Sequence, residues 1–160
     1  MTAVIDPFFH YHKPLKQLEY PLERGKERYL NNGIIQNFDY DAAITGTSMM
    51  QNFKTSQFDD LFGTHSVKVT LTGDTYWAID EEIRTIFDNK SDIKYIFRCL
   101  DYNKIFDDKS DYNYDNVPTY LYDNNIWNDV QYLFNKDIFI DNTLGVIKYT
   151  LHGEKNTIHE

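Results

Sequence analysis

Between residues 40 and 102 the hydrophobic pattern switches repeatedly between strand and helix periods, and this alternation constrains the fold more than any other feature of the chain. "YDAAITG" (40–46) is an apolar run closed by glycine, as a buried strand requires. "TSQFDDLFG" (55–63) reads as a short helix stopped at Gly63, and "SVKVTLTG" (66–73) is a strand with period-two Val and Leu. "TYWAIDEEIRTIFDNK" (75–90) sets Ile79, Ile83, Ile86 and Phe87 on one helical face, and "IKYIFRCLDY" (93–102) returns to strand. Strands separated by helical crossovers pair in parallel, and their right-handed connections place helices on both faces. The expectation is an α/β fold, a three-layer α/β/α sandwich on a parallel sheet. In such sheets the functional crevice lies at the carboxyl ends of the strands, here "GTS", "TGD" and "LDY".

The flanks are less regular. Residues 1–38 contain Pro7, Pro14 and Pro21 with little apolar periodicity, which predicts an extended N-terminal arm with one short helix lying across a domain of residues 39–160. Beyond the last strand come a loop rich in Asp, Asn and Tyr (103–125), a helix "IWNDVQYLFN" (126–135) and a second helix around 142–151 ending near Gly153. There is no repeat, linker or second domain in the pattern. With 160 residues, 41% of them hydrophobic and 16% aromatic, one domain can bury roughly two thirds of its unfolded surface.

Charge and cysteine content exclude several classes. A net charge of -9 without any Lys/Arg cluster argues against a nucleic-acid partner, since phosphate binding needs clustered cations. Cys99 is the single cysteine, so neither an internal disulfide nor a cysteine-based zinc site can form. No run approaches the ~18 apolar residues that span a bilayer, and the N-terminus lacks a signal-peptide pattern, so the chain reads as soluble.

Ser48, in "DAAITGTSMMQNF" (41–53), admits two readings. A serine after a strand commonly caps the next helix through its side-chain oxygen. A nucleophilic serine would need a tight turn above the sheet edge, backbone N–H groups to receive an oxyanion, and a base. Gly46 and the helix start can supply the first two. The α/β-hydrolase elbow is excluded, because it needs Gly where Met50 stands.

"YDAAITGTSMMQNFKTSQFDDLFG", with "VKVTLTGDTY", "RCLDYNKIFDD" and "PTYLYDNNIWNDVQYLFNKDIF", resembles an uncharacterised group of bacterial cell-envelope proteins. That group is related to the SGNH (GDSL-like) hydrolase and acyltransferase superfamily, as is the D-alanyl transfer protein of lipoteichoic acid synthesis. The resemblance runs from about Asp6 onward and implies an SGNH, flavodoxin-like fold.

The resemblance further implies a serine esterase or acyltransferase acting on acylated cell-envelope carbohydrate, on the extracytoplasmic side, without a cofactor or metal. Gly46-Thr47-Ser48 matches the superfamily's Gly-Asp-Ser, which makes Ser48 the nucleophile and its N–H one oxyanion donor. Gly73 matches the glycine block and supplies a second N–H. Asp101 stands where the superfamily's Gly-x-Asn-Asp block has an amide donor, and a carboxylate there accepts hydrogen bonds instead of giving them. The Asp-x-x-His block has no counterpart, because Asn156 precedes His159 and Tyr149 precedes His152 at that spacing. The group's members start with a membrane-spanning helix and continue further, so the chain is expected to be an N-terminal portion, incomplete at its C-terminus, with weak or no turnover and a tendency to homodimerise. The alternative is a non-catalytic envelope-associated interaction module.

Other constellations have structural explanations. "DDKSDYNYDN" (107–116) spaces Asp111, Asn113 and Asp115 like the start of a calcium loop, but it lacks the glycine and the closing glutamate, so a solvated acidic loop is expected. His10 and His12 have no third ligand. Tyr112, Tyr114, Tyr120, Tyr122 and Trp127 suit either a sugar-stacking surface or a packing layer. Met49 and Met50 read as core filler.

Overall fold

The computed structural model describes residues 1–21, 25–107, 117–123, 125 and 127–153. The described helices are α1 (Thr2–Ile5), α2 (Glu27–Asn37), α3 (Thr55–Phe62), α4 (Tyr76–Asn89), α5 (Val130–Leu133) and α6 (Leu144–His152), and the strands are β1 (Ala42–Gly46), β2 (Ser66–Thr70) and β3 (Tyr95–Arg98). The chain divides into two compact units, Phe38–Val117 and the pair of segments Met1–Asn37 and Pro118–Glu160.

The Phe38–Val117 unit is a parallel α/β sheet of order β2-β1-β3. Every residue of β1 is buried, because a strand flanked on both sides and covered on both faces must be apolar throughout. Ala42 lies opposite Ser66 and Tyr95, and Ile44 opposite Lys68 and Phe97. Side chains alternate across the sheet, so Ala43, Thr45, Val67, Val69, Ile96 and Arg98 share one face and the intervening residues the other. α4 packs on the first face, where Ala78 and Ile79 meet Leu71 and Asp80 pairs with Arg98. α3 packs on the second, Phe58 against Phe97 and Phe62 against Tyr95. The chain steps outward from β1 to β2 and then back across β1 to β3. Right-handed crossovers therefore place the two helices on opposite faces.

Local chemistry sets the boundaries. Gly63, at φ 64°, caps α3 with its N–H on the Asp59 carbonyl. The Thr75 hydroxyl accepts from Ala78 N–H to start α4. Ile79 and Ile86 are fully buried, yet Phe87 is exposed, because the inward stripe of α4 runs through Glu82 and Ile83 instead. β3 is shorter than the apolar run from Ile93 suggests, and its side chains alternate between exposed and half-buried.

In the other unit, Phe8, Leu121, Tyr132 and Ile138 form a core lined by Tyr29, Leu30, Tyr120 and Tyr122. Phe8 and Phe9, within the stretch read as an extended arm, are buried, and this stretch carries α1 and α2 where one short helix was expected. Asp6 turns the chain at φ 48°, and its fully buried carboxylate accepts from the Tyr11 and His12 N–H groups at 2.6 and 3.0 Å and from the Tyr132 hydroxyl at 2.8 Å. Gly33 of α2 lies so close to this turn that a Cβ would overlap the Phe8 carbonyl. The helix expected over 126–135 contracts to α5. The last helix is α6, which follows a π-helical turn, Ile138–Thr143, and ends at Gly153 in the left-handed region. No helix among the described residues is long and apolar enough to cross a membrane.

Candidate functional site

The carboxyl ends of the three strands form one rim. Leu71 N–H donates to the Gly46 carbonyl at 2.9 Å and Cys99 N–H to Thr45 at 3.1 Å, so the loops after β1, β2 and β3 leave the sheet together. The direction of winding reverses at β1, because β2 lies on one side of β1 and β3 on the other. That is the switch point at which doubly wound sheets open a crevice.

Gly46 is held at φ 146°, and a Cβ there would stand 2.7 Å from Met50 Cγ and 3.1 Å from Cys99 Cβ. Only glycine allows the chain to turn so tightly beneath the buried Met50. Thr47, not Ser48, is the residue before the short 3-10 turn Ser48–Asn52, and its side chain makes no cap bond. The Thr47 hydroxyl instead donates to Asp101 Oδ2. Ser48 is exposed at the start of the turn, and no described group bonds its hydroxyl. The helix-cap role therefore does not apply to Ser48. Met49, read as core filler, is 59% exposed.

Hydrogen bonds tie the three loops together. Gln51 Nε2 donates to Thr72 Oγ1 at 2.8 Å, linking the first loop to the second. The Tyr76 hydroxyl donates to the Asp101 carbonyl at 2.8 Å and Lys104 Nζ to the Gly73 carbonyl at 3.4 Å, linking the second to the third. Thr47 and Asp101 close the triangle. Gly73 stands at φ 70° with open space where a Cβ would be. Among the described residues, neither its N–H nor that of Ser48 pairs with a backbone carbonyl.

Asp101 works as an acceptor on both oxygens. Oδ2 takes the Thr47 hydroxyl and Oδ1 faces the Cys99 thiol at 3.8 Å. Burial and this carboxylate push the Cys99 thiol up, which disfavours its thiolate form. Burial, then Asp101, also raises the Tyr76 hydroxyl, over whose ring the Arg98 guanidinium sits at 4.9 Å. Ser48, Gly73 and Asp101 therefore belong to loops of one rim, although they are far apart in sequence. Gln51, Tyr76 and Lys104 are partners that sequence reasoning did not single out, because contacts between separate loops and helix starts leave no periodic signal.

Among the described residues of the Phe38–Val117 unit, no histidine stands at this rim. His65 is the one histidine between residues 38 and 117, and it lies at the opposite end of the sheet, where its N–H and carbonyl bond Asp41. His10 pairs with Asp129 at 3.3 Å in the other unit, and His12 bonds the Val4 and Lys13 carbonyls. No cluster that could hold a metal ion occurs among the described residues. Tyr120 and Tyr122 pack against the core of that unit and not against the sheet, while Trp127 is exposed. Residues 108–116, with the acidic loop, Tyr112 and Tyr114, and residues 154–160, with Asn156 and His159, lie outside the described residues.

Compared with known proteins, the chain matches no family model, no curated protein and no solved structure.

Proposed function

We propose that residues 38–117 carry an SGNH-like serine esterase or acyltransferase site directed at acylated cell-envelope carbohydrate on the extracytoplasmic side, with Ser48 as nucleophile. The observation that carries this reading is the free, exposed Ser48 hydroxyl directly after the central strand, at the β1/β3 switch point. Ser48 Oγ attacks an ester carbonyl carbon, the hydroxyl proton passes to solvent water, and the N–H groups of Ser48 and Gly73 receive the oxyanion. Collapse expels the alcohol, which regains a proton, and the acyl-Ser48 passes its acyl group to water or to a second hydroxyl. Asp101, an acceptor, is unsuited to the oxyanion and acts instead as a positioning residue that holds Thr47 beside the nucleophile.

With no imidazole at the rim from residues 38–117, this unit by itself lacks general-base assistance worth about 10²- to 10⁴-fold in rate. Slow chemistry follows. A fluorophosphonate probe read by peptide mass spectrometry should modify Ser48 slowly, and the adduct should vanish in Ser48→Ala without a change in circular dichroism. An adduct elsewhere, or none after exhaustive reaction, would refute the reading. The same missing imidazole favours a second reading, a non-catalytic envelope interaction module, for which no serine adduct forms at all.

A further inference from the structure

We propose that the side-chain amide of Gln51 is a further donor to the oxyanion, acting beside the N–H groups of Ser48 and Gly73; this rests on the serine reading above. The turn Ser48–Asn52 is a 3-10 turn, with Met50 N–H on the Thr47 carbonyl at 3.0 Å and Phe53 N–H on the Met50 carbonyl at 3.1 Å. In such a turn side chains three residues apart eclipse, so Gln51 projects on the same side as Ser48. Its reach is fixed by a hydrogen bond, Gln51 Nε2 donating to Thr72 Oγ1 at 2.8 Å, and Thr72 is the residue whose peptide bond carries the Gly73 N–H. The amide therefore spans from the turn of the nucleophile to the loop of the second backbone donor.

The chemistry calls for such a donor. The Asp101 carboxylate is bonded to Thr47, the neighbour of Ser48, and repels negative charge developing on an ester oxygen there. The Thr47 and Tyr76 hydroxyls cannot offset it, since each gives its one hydrogen to Asp101. A carboxamide nitrogen carries two hydrogens. Gln51 gives one to Thr72, and among the described residues the other has no acceptor, which leaves it to solvent or a ligand. Lys68 of β2 donates to the Gln51 carbonyl at 2.9 Å, so the backbone and the side chain of residue 51 are both held before a substrate arrives. A dipole fixed in advance costs no reorganisation at the moment charge forms.

In the full chain, Gln51→Met, close in size but without an N–H, should slow fluorophosphonate modification of Ser48 by about 10²-fold with unchanged circular dichroism. Gln51→Glu separates donation to the oxyanion from mere tying of the two loops. Its carboxylate can still accept from the Thr72 hydroxyl, so the tie is kept while the donor is replaced by an acceptor. At pH 7 it should slow the reaction at least as much as Gln51→Met. The ratio of its rate to wild type should then climb as pH falls towards the ordinary glutamate value of about 4, where the acid regains an O–H. Wild-type rates in both variants, or a Gln51→Glu ratio that does not change with pH, would overturn the role of Gln51 and leave Ser48 as nucleophile. A wild-type chain that takes no adduct at Ser48 would overturn both.

Discussion

At the residue scale, the rim depends on single polar contacts. Thr47 is buried, and its hydroxyl is the donor that fixes Asp101 to the turn carrying Ser48. Thr47→Val keeps the shape but leaves that oxygen without its donor, at a cost of about 1–3 kcal/mol, which urea unfolding would measure. A second residue reports on pH. Lys94 and the His65 N–H hold the Asp41 carboxyl below the usual carboxylate range. A lowered folded value means that Asp41 stabilises the fold fully above the unfolded carboxylate pKa of about 4, and that this contribution fades as pH falls through the lower folded value. Asp41→Asn should therefore flatten the acid limb of the stability curve below about pH 4. The pair is partly exposed, so the effect should shrink in high salt. An acid limb identical to wild type would contradict this assignment.

At the element scale, glycines decide where helices and turns can approach. Gly33 in the middle of α2 lowers helix propensity, but any larger residue would collide with the backbone at Phe8 and Phe9. Backbone cannot yield as a flexible side chain does. Gly33→Ala should destabilise the chain by about 1–3 kcal/mol or more despite its better helix propensity, seen as a lowered thermal midpoint. A raised midpoint would show that α2 can shift. The helices and strands of residues 40–98 were legible from periodicity because each buries one consistent face. The expected 126–135 helix shrank to α5 because Asn and Asp at 125, 128 and 129 enter side-chain bonds, among them Asp129 with Tyr11 and His10. Such residues compete with helix formation, and their long-range partners leave no trace in local pattern.

At the scale of the whole molecule, β1 is the element flanked on both sides and covered on both faces. Native-state hydrogen exchange should find the slowest amides of the Phe38–Val117 unit in Ala43–Thr45, slower than those of the one-sided β3, and the reverse order would contradict the sheet order. The order of elements in that unit, its parallel pairing and the rim where its loops gather follow from the sequence itself, because alternating periods and right-handed crossovers leave few topologies. The tertiary structure alone decided three things. It brought residues 1–37 together with 118–160, since burial of Asp6 and Phe8 depends on partners more than a hundred residues away. It turned Asp101 into the acceptor for Thr47, and it set His65 at the wrong end of the sheet to serve Ser48. Periodicity records which face an element buries; which side chains meet across the fold is a matter of distance in space, which local pattern does not encode.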